Sequence, residues 1–247
     1  TLLKKNEKSL TRAEFIATFM NENKVFIFNK DKHDDPDVFL NNLKKEYLNY
    51  RKNWDNQPAQ AIKNKYLSKD LQKKSIGPLC LDIEVASICD LACPFCFREF
   101  EATPDKIIDE QLCYKLIDQA AEMKIPSIKF NWRGEPLLHP KLPQFIKYAK
   151  RKGILETIIN TNATNLTEKK SKELIDSGLD FIIYSFDGGS KATYEKMRPG
   201  RFKKNKFETV YENIKNFKKT KDQMQTSFPY TKIQMILTKD TMNEVDN

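Results

Sequence analysis

The sequence has no apolar run of about 18 residues, the length that reads as a membrane-spanning helix. Its opening stretch, TLLKKNEKSLTRAEF, is polar and charged where a secretory signal needs an apolar segment. These absences predict a soluble cytoplasmic protein without a membrane span. Internal repeats and low-complexity tracts are also missing. The five cysteines are an odd number, and three of them fall within the eight residues Cys89 to Cys96. That crowding speaks against a disulfide framework and for a metal site in a reducing compartment.

With 247 residues, 39% hydrophobic and 31% charged, the chain can bury one sizeable core and carry an appended segment. The net charge of +9 is uneven. Residues 141–152 hold five basic and no acidic side chains, and residues 201–221 hold eight basic against Glu208 and Glu212. Solvated helix faces explain such runs better than a nucleic-acid surface. Phe207, Val210, Tyr211, Ile214 and Phe217 recur at helical spacing in the second run, so its aromatics read as a core stripe and not as a base-stacking platform.

From Leu81 onward, short β-rich runs alternate with helical patterns, the signature of a parallel sheet built from βα units. Strands are expected at Leu81–Ala86, Ser127–Asn131, Glu156–Thr161, Asp180–Phe186 and Lys232–Leu237. Four main helices lie between them, with Thr167 and Ser190 as N-caps and Gly178 as a C-terminal stop. Residues 78–247 thus read as an incomplete α/β barrel. Residues 1–77 read as a helical, charged extension, with helices at Thr11–Met20 and Asp37–Trp54 and a polar, Lys-rich connector over residues 55–77.

Directly after the first strand, Cys89-Asp90-Leu91-Ala92-Cys93-Pro94-Phe95-Cys96 spaces three thiols as C-x3-C-x2-C. Loops at the carboxyl ends of barrel strands are where ligand sites form. A [4Fe-4S] cube ordinarily takes four thiolates, so three leave one iron open, the mark of a catalytic centre. The alternative is a zinc-stabilised nucleic-acid-binding module, with Cys80 or one of the two histidines, His33 and His139, as fourth ligand. Cys80 and Cys113 read as core residues.

The motif, with aromatic Phe95 before its last cysteine, resembles the signature of the radical S-adenosylmethionine superfamily. The resemblance implies a partial parallel (β/α)6-type barrel and a [4Fe-4S] cluster on Cys89, Cys93 and Cys96. It further implies S-adenosylmethionine chelated to the unique iron and cleaved to a 5′-deoxyadenosyl radical that abstracts hydrogen. Phe95 and Phe97 flank the last ligand as cofactor contacts. Gly134-Glu135-Pro136, after the second strand, resembles the family's GGEP motif, with Arg133 in place of the first glycine. Asn162 lies in a segment resembling TNGT, with Ala163 where glycine is usual, and implies a contact near the ribose. Ser185, in Ser185-Phe186-Asp187-Gly188, and Arg198 resemble the ribose and carboxylate contacts of members with a SPASM or twitch auxiliary domain.

The likeness covers about Pro78 to Asn247 and implies an oxidoreductase, epimerase or maturase acting on a peptide, a sugar-like compound or another small molecule. An external electron donor of flavodoxin or ferredoxin type is expected. No cysteine follows Cys113, so auxiliary iron–sulfur clusters would belong to a C-terminal region absent from this sequence.

Overall fold

The computed structural model describes residues 10–23, 33–66, 70, 77–100 and 104–245. Helix α1 (Arg12–Phe19) opens on a capping box in which Thr11 and Glu14 exchange side-chain and backbone bonds. Helix α2 (Pro36–Lys63) opens on Asp35, whose carboxylate accepts from Asp37 and Val38 N–H, with Pro36 in the first turn. This helix continues through Pro58, so residues 55–63 are helical and not connector. Their stretch lacks an apolar stripe, and Ile62 is left exposed, so no periodicity marked them. Most of the remaining connector lies outside the described residues.

Five strands form one all-parallel sheet in the order of the chain: β1 (Leu81–Asp82), β2 (Ser127–Lys129), β3 (Glu156–Thr161), β4 (Phe181–Ser185) and β5 (Tyr230–Gln234). Helices α3 (Glu110–Glu122), α4 (Leu142–Arg151), α5 (Glu168–Asp176), α6 (Lys191–Met197) and α7 (Phe207–Gln223) complete the βα units. The architecture is a partial parallel α/β barrel with a helical N-terminal region. Ile83, Val85, Ile128, Phe130, Ile159, Ile182 and Tyr184 pack from the strands against Cys113, Ile117, Phe145, Leu174, Val210 and Phe217 of the helices. Strand alternation turns Glu84, Asn131, Asn160 and Ser185 to the other face. In the α7 stripe Val210 and Phe217 are buried, whereas Tyr211 is exposed.

Four strands differ from expectation at their ends, β4 by a single residue at each. Strand β1 is only two residues long because the chain beyond Ile83 turns to a new partner: Val85 O accepts from Ile108 N–H, and Ser87 N–H donates to Lys106 O. Strand β2 ends at Lys129, two residues short of Asn131. Strand β5 starts and ends earlier than the Lys232–Leu237 pattern, since its ladder is set by Phe181 opposite Tyr230 and Ser185 opposite Gln234.

The N-terminal helices pack on the amino-terminal ends of the strands. Ile16, Met20, Leu43, Tyr47 and Tyr50 form a second core with Leu155 and Phe228. Buried Glu156 accepts from Tyr47 OH (3.1 Å) and Tyr50 OH (2.9 Å), with Arg12 and Arg51 at 3.5 and 3.7 Å. Beside it, Lys150 and Asp180 make a fully buried pair at 2.8 Å. Because the strands are parallel, this sealed end lies opposite the cysteine loop.

Candidate active site

The chain leaves β1 and folds back through the cysteine loop. Cys93 is buried, while Cys89 and Cys96 are half-buried. Cys96 N–H donates to Cys93 O (2.9 Å), closing a turn that holds Pro94 and Phe95 at its tip, and Phe97 begins a short 3-10 turn with half its surface exposed. The loop is anchored on its far side as well. Ala92 N–H donates to Pro199 O (2.9 Å) and Arg201 N–H to Asp90 O (2.8 Å), an antiparallel bridge between Leu91 and Gly200. Burial pushes the Cys89 thiol up to about 12 and the Cys93 thiol up to about 11.

The second loop shows why a glycine stands at 134. A Cβ there would overlap the carbonyl oxygens of Ala86 and Ile88, so only glycine lets the two loops touch. The next residue continues the contact, with Glu135 N–H donating to Ile88 O (2.9 Å). Arg133, at the position of the missing glycine, is locked on Glu84: Nε to Oε1 is 2.8 Å and Nη2 to Oε2 is 2.6 Å. Pro136 is buried in the first turn of a 3-10 helix that Glu135 caps.

Glu135 is the hub of this end of the barrel. Its Oε1 accepts from Leu137 N–H (3.0 Å) and Thr161 Oγ1 (2.7 Å), and its Oε2 from Asn162 N–H (2.8 Å). Burial pushes its carboxyl up to about 7 despite these three donors. One acceptor position on Oε2 is left for a further donor.

Asn162 uses its whole side chain locally. Nδ2 donates to Asp90 Oδ1 (2.8 Å) and lies 3.9 Å from Cys89 Sγ, while Oδ1 accepts from Thr164 N–H and Oγ1. Asp90 also accepts from Thr164 Oγ1 and Asn165 Nδ2, so the residue after the first cysteine is tied to the end of β3 by three side chains. Ala163 holds this turn in the left-handed region, φ 59°, where a glycine would fit without strain.

Arg198 pairs with Asp187. Nε and Nη2 both reach Asp187 Oδ2, at 2.7 and 2.5 Å, with the two side chains 9% and 1% exposed. Asp187 Oδ1 accepts from Ile236 N–H at 2.6 Å. The guanidinium stands 5.9 Å from the centre of the Phe95 ring. Burial acts to lower its pKa, but a Cys93 thiolate and Asp187 raise it above its ordinary value. Ser185 sits at the end of β4, on the face opposite the helices, paired in the ladder with Gln234.

Thus Cys89, Glu135 and Asn162 are drawn into one bonded network, and Arg198, bonded to Asp187, stands beside it near Phe95 and Cys93. Phe97 joins neither. Asp90, Thr161, Thr164 and Asp187 complete these contacts and were not singled out from sequence, although all four stand inside motifs that were.

The donor set fits a cluster. Among the described residues no three His, Cys, Asp or Glu side chains converge on one metal-ion position. The zinc alternative also lacks its fourth ligand: Cys80 Sγ is turned to Asp82, both His139 ring nitrogens are engaged by Ile108 O and Lys141 N–H, and His33 stacks on Phe39 beside α2. Asn162 and the Leu91 N–H are placed to stabilise sulfur charge on Cys89.

A family model described as the Radical SAM superfamily matches residues 83–246, more than half of the chain. The chain belongs to the radical SAM superfamily. Membership makes it a radical SAM enzyme and implies the [4Fe-4S] cluster and S-adenosylmethionine as its cofactors. It is 27% identical over 172 residues to a tungsten-containing aldehyde ferredoxin oxidoreductase cofactor-modifying protein of Pyrococcus furiosus, covering 67% of this chain and 45% of that protein. A GTP 3',8-cyclase of Chlorobaculum tepidum is 34% identical over 105 residues, covering 42% and 32%. Among solved structures, native anSMEcpe with bound AdoMet and Cp18Cys peptide superposes with a TM-score of 0.57 at 21% identity, covering 69% of this chain and 46% of that one. The radical SAM chain therefore spans less than half the length of these relatives. No helix among the described residues is long and apolar enough to cross a membrane.

Proposed function

We propose that this domain cleaves S-adenosylmethionine reductively and abstracts a hydrogen atom from a peptide, a sugar-like compound or another small molecule. The observation that carries the reading is the closure of the cysteine loop onto the strand ends, with Asn162 bridging Cys89 and Asp90 while Glu135 holds the Asn162 backbone. Cys89, Cys93 and Cys96 would hold the cluster, which would supply the electron needed for reductive cleavage of the cofactor. The chain's own residues bind and orient. The remaining acceptor on Glu135 suits the cofactor's ammonium, and Arg198, held by Asp187 beside Phe95, suits its carboxylate. Phe95 offers a face to the adenine, and Ser185 a hydroxyl at the ribose. Asn162, saturated by its local bonds, acts as a brace for the loop and not as a ribose contact. The relatives' printed names, one modifying the cofactor of an oxidoreductase, one a GTP cyclase and one with a bound peptide, leave the substrate class broad.

The test is anaerobic reconstitution followed by iron, sulfide and 5′-deoxyadenosine analysis. About four irons and four sulfides per chain are expected, with 5′-deoxyadenosine formed under dithionite. Cys93→Ala should lose both properties and Cys113→Ala keep them. Stoichiometric zinc without iron, or a complete active cluster in Cys93→Ala, overturns the assignment.

A further inference from the structure

The basic run of residues 201–221 is divided by the fold into two unlike parts. On α7 two lysines are paired along the helix, Lys215 with Glu212 at 3.1 Å and Lys218 with Asp222 at 2.5 Å, and Lys221 is buried with its Nζ donating to Pro229 O (2.7 Å). The first part, Arg201-Phe202-Lys203-Lys204-Asn205-Lys206, contains no acidic residue and is bound to the cysteine loop through the Leu91–Gly200 bridge and the Arg201 N–H to Asp90 O bond.

This segment is a fixed platform. Gly200 packs so closely under the Lys203 carbonyl that a Cβ would overlap it, and Asn205 is pinned by bonds to Arg198 O (2.9 Å) and Tyr194 OH (3.3 Å). Lys203 and Lys204 are exposed between those two anchors, and Lys206 is exposed directly after the second. The neighbouring acids are already engaged: Glu99 with Arg98, Asp105 with Arg98 and Arg201, and Glu195 with Lys191 and, at 3.9 Å, Lys204. Among the described residues, Lys203 and Lys206 have no carboxylate within ion-pair distance. Phe202 is 64% exposed in the same segment, and Asp105 links it to the turn that exposes Phe97 and Phe100.

We propose that Lys203, Lys204 and Lys206, with Phe202 at their centre, form the docking surface for an acidic protein that delivers single electrons to the cluster. This rests on the cluster reading above. Charge attracts such a donor, and the backbone bridge makes its landing site continuous with the loop that carries the cluster ligands. An acidic face around an exposed one-electron centre is the partner chemistry that fits. A nucleic acid would also be attracted by the charge, but would have no reason to meet it at the cysteine loop.

The experiment compares the reconstituted parent with K203E/K204E/K206E. 5′-Deoxyadenosine formation is driven in one arm by dithionite and in the other by a reduced acidic flavodoxin. The dithionite rate should match the parent within about twofold, while the flavodoxin concentration for half-maximal rate should rise roughly tenfold or more, the scale of electrostatic steering. Parent turnover with flavodoxin should fall steeply with added sodium chloride, and the salt dependence should vanish in the variant. K203R/K204R/K206R should behave as the parent, and K203Q/K206Q should show the same trend if the charge reversal fails to fold. An unchanged flavodoxin dependence overturns the proposal, as does an equal loss in both arms. Loss of single-stranded DNA binding with flavodoxin kinetics intact overturns it in favour of nucleic acid. A parent inactive in both arms would instead refute the cluster reading.

Discussion

Replacing Arg198 by Met tests whether the Arg198–Asp187 pair is the buried joint that the site needs. The substitution keeps an unbranched stem and removes the guanidinium and its charge. Asp187 would keep only the Ile236 N–H on Oδ1, and its Oδ2 would lose both guanidinium donors. Removing one partner of a buried pair costs about 3–5 kcal/mol. The lower end applies here, because one strong donor to Asp187 survives. At about 2–4 °C per kcal/mol for a chain of this size, the melting temperature should fall by roughly 6–12 °C. Differential scanning calorimetry of the anaerobically reconstituted protein reads this directly. The double variant Asp187→Asn with Arg198→Met should recover part of the loss, since the stranded charge is then gone. Arg198→Lys separates binding from stability: a lysine retains charge but not the fork, so cofactor affinity should weaken by roughly tenfold to a hundredfold, the worth of a buried charged hydrogen bond. A melting point within about 2 °C of the parent in Arg198→Met, with unchanged cofactor affinity, would refute both the burial argument and the binding role.

Gly134→Ala should cost at least about 1–3 kcal/mol, the range for overpacking, because the clash is with backbone carbonyls of Ala86 and Ile88; equal melting temperature and equal iron retention would contradict this. Asn162→Ala removes the N–H beside Cys89 Sγ, so the cluster's reduction potential should fall; a spectroscopic redox titration that shows no change would disprove the contact. Lys150→Met strands buried Asp180 and should destabilise the fold by about 3–5 kcal/mol, as judged by denaturant titration. Burial holds the Asp180 carboxyl at about 6. The folded state therefore keeps a proton that the unfolded chain has lost, and this residue's contribution to stability falls as pH rises from about 4 to 6. Removing Lys150 should extend that decline to higher pH; a pH profile identical to the parent's would count against it.

The sequence by itself determined what depends on near neighbours in the chain. Alternating β-rich and helical patterns announced the parallel sheet, and Thr167 and Ser190 marked helix starts because a cap bonds within its own first turn. The three cysteines lie within eight residues, so their spacing could be read directly. Tertiary structure decided the partners that no spacing encodes. Asp90 meets Asn162, Thr164 and Asn165 more than 70 residues away, and the basic run after Gly200 is carried to the cysteine loop while Lys215 and Lys218 of the same run pair along their own helix. Strand ends followed the same logic, since β1 stops where Val85 finds Ile108 and not where its own apolar pattern fades. Hydrogen bonding between distant segments is settled only when burial leaves each polar group a limited choice of partners, and that choice exists only in the folded chain.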